Sequence, residues 1–558
     1  MKKTLSFILI LMVTAGLSYG QTDFQQDFVA EKQYLRLPVK NGAPSKTVEI
    51  KSEGEKLRWF TIELAEGEAD WYAYLDISAW KGDTLSLHVN ELSKGANVFQ
   101  PIVQTDEDKN EGVLYEEKLR GQFHFSPKRG WNNDPNGLAF YKGEYHLFFQ
   151  HNPYGRGWGN MHWGHAVSKD LVHWEEIDIA LYPDKYGTMF SGGGVVDSNN
   201  TSGLGEIGQA PLILYYTAAE HSWKQGLAYS VDGRNFSKLP EPILDKISDG
   251  NRDPKVIWHE PSKRWVMVLY VTEADELHSM YFFTSTNMKH WEYASKYSGG
   301  YGNDRYMYEC PEFFELPVEG NPSVKKWILT GANGQYAIGT FDGKTFSPEE
   351  ERLFSQHGRD YYAAQTVSNE PKGRRIEIGW WRTHTDRNEM NFNQSMSIPT
   401  QLNLKQTENG LRLFRTPVEE LKALRTDSYE ASSIKLTPNG DNPLSKQKSE
   451  TAEIRMTIDP ETANNLQINL RGLVLNYQMN DEEIIIDGIR THVPLVNGKQ
   501  EFIIYVDRTG VEIFASGGQV FIPVNYNFAP SNTSYDVKVL GGDAVIEKLE
   551  FHKLKSIW

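Results

Sequence analysis

The sequence predicts an all-β protein: a five-bladed β-propeller followed by a C-terminal β-sandwich, with a small N-terminal β-rich module ahead of both. Three observations carry that expectation. A polar–aromatic motif recurs through the middle of the chain, strand-like runs dominate with no long amphipathic helix, and short strands crowd the residues after 421. A length of 558 residues agrees with several domains, because single cores stop growing near about 250–300 residues.

The repeat is a pattern of spacing: Ser or Thr, then Asp or Asn, then an aromatic four residues later. Its copies are Ser168, Asp170, Trp174; Ser230, Asp232, Phe236; Ser285, Asn287, Trp291; and Thr340, Asp342, Phe346. The middle residues are 62, 55 and 55 positions apart. An Asp or Asn in such a stretch bonds its own backbone and tolerates turn geometry, so each copy predicts a hairpin turn. Strand-like runs precede the later copies, at residues 212–217, 265–270 with 279–284, and 327–330 with 336–340. A period of about 50 residues built of strands predicts propeller blades. Four copies, plus one blade without the motif expected over about 374–414 and completed by the segment ahead of Trp131, make five.

The expected divisions are a signal peptide over 1–20, a β-rich module over 21–115, the propeller over 116–420 and the sandwich over 421–558. The sandwich expectation rests on short strands at 453–458, 466–470, 483–489, 501–506 and 511–514. Residues 417–425 read as a charged helical linker. The leader combines Lys2 and Lys3, an apolar run over 5–17, and Ser18 and Gly20 placed for cleavage before Gln21. That run is shorter than the roughly 20 residues of a membrane anchor, and no cysteine near the cut supports lipid attachment. The expectation is export to the periplasm or cell exterior, without membrane insertion.

Composition narrows the function. With 58 basic and 74 acidic residues the net charge is −16, a field that repels polyanions and excludes nucleic acid as a partner. Cys310 is the only cysteine, which excludes an intramolecular disulfide and a multi-cysteine zinc site. Fifteen Trp and 28 Tyr supply flat faces on which sugar rings stack.

Three acidic motifs are expected one per blade in the first three blades: Trp131-Asn132-Asn133-Asp134-Pro135-Asn136-Gly137, Arg252-Asp253-Pro254 and Glu309-Cys310-Pro311. Each alone reads as a turn or strand end. Together they suggest convergence, because innermost strands line a propeller's central channel. Glycoside hydrolysis needs a proton donor for the leaving oxygen and, on the other face of the sugar, a nucleophile or an activated water. A third acid stabilises the charge that develops on the ring. Arg252 is expected to favour the charged form of Asp253.

With these motifs the chain resembles glycoside hydrolase family 32, the invertase, inulinase and levanase family, over roughly residues 123–558. The resemblance implies retaining hydrolysis of β-fructofuranosides without a cofactor or metal. It implies Asp134 as nucleophile, Asp253 as transition-state stabiliser and Glu309 as general acid/base. It further implies a fructose-binding shell of Asn133, Gln150, Trp158, Phe190, Ser191, Arg252, Asp360 in His-Gly-Arg-Asp-Tyr-Tyr-Ala, and Trp380. Trp158 and Trp380 also fit a packing role. Residues 507–514, Asp-Arg-Thr-Gly-Val-Glu-Ile-Phe, are similar to a strand motif of the family's sandwich. Asn132 stands where the family usually has Met, and residues 22 to about 115 lie outside the family pattern.

His151, His162 and His165 invite a metal reading. A strand places residues three apart on opposite faces, so no metal is expected. The expected partner is a fructan such as levan or inulin, or a fructo-oligosaccharide, with sucrose a further candidate. Release of terminal fructose suits a funnel sealed at one end. An endo-acting levanase or inulinase, an inverting relative with carboxyls about 6.5–9.5 Å apart instead of 5–5.5 Å, and a non-catalytic fructan-binding protein remain alternatives. Linkage preference and oligomeric state stay open.

Overall fold

The computed structural model describes residues 21–93, 102–108, 114–206, 208–387 and 389–558. The expected signal peptide, residues 1–20, lies outside the described residues. The chain divides into two compact units, residues 1–109 and 110–558. In the first, strands Gln21–Val29, Thr84–Ser93, Lys46–Ser52 and Glu55–Ile62 form one sheet, and Trp71–Asp76, Tyr34–Val39 and Val103–Thr105 form another. Leu35, Leu37, Val48, Ile50, Leu75 and Leu87 are buried, as alternation along half-buried strands requires.

The second unit holds five blades. Blade one is Gly130–Tyr141, Glu144–Asn152, His162–Ser168 and Trp174–Leu181. Blade two has an interrupted inner strand, Thr188–Phe190 then Gly194–Val196, pairing with Leu212–Ala219, followed by Lys224–Ser230 and Ser237–Lys238. Blade three is Arg252–His259, Arg264–Thr272, Leu277–Ser285 and Glu292–Tyr301. Blade four is Glu312–Val318, Asn321–Thr330, Gln335–Phe341 and Phe346–Phe354. Blade five is Tyr361–Thr366, Arg375–Trp381, Thr400–Thr407 and Gly410–Pro417. It begins earlier than the sequence suggests. The segment ahead of Trp131 does not complete it as a strand but accepts one backbone bond, Met396 N to Phe125 O. The short strand Phe392–Asn393 instead pairs with Gly130–Trp131 and joins blade five to blade one.

Every copy of the repeat turns the chain into the outermost strand of its blade. The Asp or Asn carboxyl or amide oxygen accepts from the backbone N–H groups two and three residues on: Val172 and His173 for Asp170, Arg234 and Asn235 for Asp232, Lys289 and His290 for Asn287, and Lys344 and Thr345 for Asp342. These bonds satisfy turn donors that the strand ladders leave free. In two copies the aromatic closes the turn, with Trp174 and Trp291 Nε1 donating to Leu171 O and Met288 O.

A 3-10 turn, Glu419–Leu424, leads into the sandwich. One sheet orders Arg425–Leu436, Ala544–Leu554, Ala452–Asp459, Gln500–Asp507, Gly510–Ala515 and Val520–Asn525. The other orders Ile489–His492, Glu483–Ile486, Leu473–Gln478, Asn465–Leu470 and Tyr535–Leu540. The run expected as one strand over 483–489 is a hairpin, because Asp487 and Gly488, with φ of 45° and 74°, make an Asp-Gly turn.

Propeller and sandwich share a core of Phe123, Phe125, Tyr361, Tyr505, Phe514 and Phe521. His124 sits in it, fully buried, with Nδ1 2.7 Å from Asp507 and Nε2 2.8 Å from Glu512. Burial alone would push the imidazolium down, but hydrogen bonds and charge from both acids outweigh it and carry His124 up to about 9. A folded value above the ordinary 6.5 means this stabilisation is full below pH 6.5 and is lost as pH rises through 9. His124→Gln is therefore expected to lower stability by about 3–5 kcal/mol near pH 6. In thermal melts, the gap to the wild type should narrow from pH 6.5 to 9.5.

Candidate active site

The acids stand at irregular starts of inner strands. In blade one Asn132 pairs with His151 but Pro135 with Phe149, so the ladder slips at Asn133–Asp134. In blade three Arg252 pairs with Tyr270 and Lys255 with Val268, a slip at Asp253–Pro254. Proline offers no N–H to the ladder, and an extra residue re-aims the side chains beside it. Asp253, Glu309 and Cys310 have φ of 65°, 53° and 40°, a region that residues other than glycine usually avoid. Blade two breaks its inner strand at residues 191–193, where a Cβ on Gly192 would lie 1.9 Å from Tyr215 O. Blade five slips between Tyr362 and Gln365. The acids thus come from blades one, three and four, not the first three. Blade two contributes Phe190 and Ser191 instead.

These irregularities bring three carboxyls into one pocket of about 200 Å³. Asp134 Oδ2 accepts from Ser191 Oγ at 2.7 Å and lies 3.5 Å from Cys310 Sγ. The same sulfur is 3.4 Å from Asp253 Oδ2, to which Cys310 N donates at 3.0 Å. Arg252 contacts Glu309 Oε1 through Nη2, while its Nε is 3.8 Å from Asp253 Oδ2. Tyr362 OH donates to Glu309 Oε2 at 2.5 Å.

Burial raises Asp134 above the usual carboxylate range, against hydrogen bonds from Ser191, Asn133 and Cys310. Burial likewise carries Asp253 up to about 7, against the pull of Arg252 and with help from the charges of Glu309 and Asp134. Arg252 does favour the charged form of Asp253, as its place beside that acid suggests, but it does not prevail. Desolvation outweighs the guanidinium, whose closest carboxylate is Glu309. Near neutral pH the cluster keeps a share of a proton, as like charges packed together must.

Of the residues singled out in the sequence, Asn133, Asp134, Gln150, Trp158, Phe190, Ser191, Arg252, Asp253, Glu309 and Trp380 line the pocket. Asn133 Oδ1 accepts from Trp131 Nε1, Gln150 Nε2 donates to Met189 O, and Trp380 Nε1 donates to Gln394 Oε1. Trp158 is 56% exposed. Asp360 is not part of the wall; its carbonyl accepts from Arg382 N. Tyr362, two residues on and missed in the sequence, lines the pocket with Cys310. The period-two alternation of a strand start was the available signal. The three histidines go to separate partners: His151 to Trp131 O, His162 to Asn160 O and His165 to His146. A larger cavity of about 610 Å³ beside Trp258, Phe314 and Trp327 contains none of the three acids.

The family model described as Glycosyl hydrolases family 32 N-terminal domain matches residues 124–417, and that described as Glycosyl hydrolases family 32 C terminal matches residues 420–553. The chain belongs to glycosyl hydrolase family 32. Within that family it is 37% identical over 496 residues to a levanase of Bacillus subtilis (strain 168), covering 81% of this chain and 72% of the levanase. It is 31% identical over 523 residues to an extracellular exo-inulinase of Aspergillus niger, covering 80% of this chain and 96% of that protein. The solved exo-inulinase from Aspergillus awamori superposes with a TM-score of 0.71 at 27% identity, over 80% of this chain and 100% of that one.

Against the family 32 pattern, Asn132 is the departure beside the acid cluster. It is fully buried, and neither polar atom of its amide meets a protein partner. A buried amide without partners costs about 1–3 kcal/mol. Restoring the apolar residue, Asn132→Met, is expected to raise stability by about 1 kcal/mol or more, read as an increase in the denaturation midpoint in urea with an unchanged slope.

Proposed function

We propose that this family 32 glycoside hydrolase is an exported fructan β-fructosidase that releases terminal fructose by double displacement. The observation that carries the proposal is the meeting of carboxyls from blades one, three and four in a pocket of about 200 Å³. That volume is below the roughly 300–1,000 Å³ of drug-sized sites and suits one sugar ring at a chain end. Relatives named as levanase and exo-inulinase support fructan as the substrate class.

In this reading Asp134 attacks the anomeric carbon while Glu309 gives its proton to the departing sugar oxygen. Water, deprotonated by Glu309, then releases fructose from Asp134. Arg252 and Tyr362 hold Glu309 from two sides, which fixes its direction toward the bond being broken. Asp253, titrating near 7, exchanges hydrogen bonds with ring hydroxyls that strengthen as positive charge builds on the sugar. Ser191 and Asn133 orient the attacking carboxylate.

Residues 116–420 are proposed as the catalytic propeller domain, 421–558 as the sandwich and 21–115 as a separate N-terminal β-rich module. Export is proposed from the leader-like residues 1–20. Extracellular relatives support it, and no described helix is long and apolar enough to cross a membrane.

Time courses on levan, inulin and sucrose test the activity, with wild type run beside Asp134→Asn. Fructose is expected to accumulate alone, with the variant slower by at least about 10³-fold. A ladder of oligosaccharides would make the enzyme endo-acting. Absence of products from all three substrates would remove the proposal.

A further inference from the structure

Trp223 lies outside the pocket wall, yet its ring packs edge-on against Phe190, which lines it, with centroids 5.8 Å apart and planes at 89°. Trp158 meets the same ring at 5.9 Å and 80°. The pocket's Phe190 is therefore flanked by two indoles, one in the wall and one beyond it.

Trp223 closes the hairpin between Leu212–Ala219 and Lys224–Ser230 of blade two, and its backbone is left-handed, with φ of 52°. Bulky residues rarely adopt that region. Glu220 in the same turn does so too, at 67°. Three ties hold the turn there. Thr188 Oγ1 donates to Glu220, Ser222 Oγ donates to Ala218 O, and Asn251 Nδ2 donates to Trp223 O at 2.9 Å. Asn251 is fully buried and directly precedes Arg252, which contacts Glu309. Strain held by several independent bonds at the rim of a site is a mark of a pre-organised surface.

The indole is half-buried, and among the described residues nothing accepts from its N–H. Such a side chain offers a flat apolar face for a sugar ring and a donor for a hydroxyl. A pocket with room for one ring leaves the rest of the substrate outside, on the side where the bond breaks. We propose that Trp223 determines specificity by carrying the sugar units on the leaving side of the scissile bond. The proposal rests on the fructan reading above and extends it to a residue beyond the pocket.

The test compares wild type, Trp223→Ala and Trp223→Phe on a β-fructosyl trisaccharide or longer oligosaccharide and on methyl β-D-fructofuranoside, whose leaving group has no ring. The ratio of kcat/KM for oligosaccharide over methyl fructoside is expected to fall about three- to tenfold in Trp223→Ala and to recover in Trp223→Phe. An unchanged ratio in Trp223→Ala would overturn the role of Trp223 while leaving the fructan reading intact. A wild type that cleaves neither substrate would overturn the fructan reading, and Trp223's role with it.

Discussion

Three carboxyl groups that meet in one pocket beside a cysteine and an arginine set the terms for the rest of the structure. Like charges in a site shielded from water cannot all ionise, so the cluster must either hold a proton or be neutralised from outside. Arg252 supplies one positive charge and gives its closest contact to Glu309. Asp253 answers by titrating near 7 instead of in the ordinary carboxylate range. Ser191 and Asn133 donate to Asp134 without adding charge. Asp134 and Glu309 thus stand in unequal environments, set by which neighbours each acid finds.

Placing those neighbours requires inner strands that are regular along the channel and irregular at its mouth. Bulges at Asn133–Asp134 and Asp253–Pro254, the left-handed pair Glu309 and Cys310, and the break at residues 191–193 turn side chains inward that a straight ladder would send elsewhere. The outer parts of the blades are held separately, by Asp and Asn residues that bond their own turns, two of which an indole closes. The sandwich braces the ring from one side. Its Asp507 and Glu512 reach His124, and His124 in turn packs on Trp381, the neighbour in sequence of the pocket's Trp380.

What was legible in the sequence was local. An Asx turn is made by residues within three positions of one another, so the four hairpins could be read from spacing alone. An acid followed directly, or after one residue, by proline marks a strand that starts irregularly, and this holds for Asp134, Asp253 and Glu309. Long-range partners were not legible. Nothing near Arg252 in sequence announces that it turns to Glu309, and nothing in Tyr362 or Trp223 separates an aromatic that faces a pocket from one that fills a core. Blade five lacks the turn motif, so its first strand, Tyr361–Thr366, went unread. Asp360 precedes the first strand of blade five, whereas Tyr362 stands in that strand opposite Trp380 and lines the pocket with it.

In the proposed double displacement Asp134 bonds to the sugar, and that bond is then broken from the same face the leaving group occupied. Running the hydrolysis of a fructo-oligosaccharide in aqueous methanol tests this most directly, with the early products followed by NMR. Two displacements at one carbon let methanol compete with water and preserve configuration, so methyl β-D-fructofuranoside should form alongside fructose. Formation of the α-anomer, or release of fructose with no methyl fructoside at all, would contradict the account.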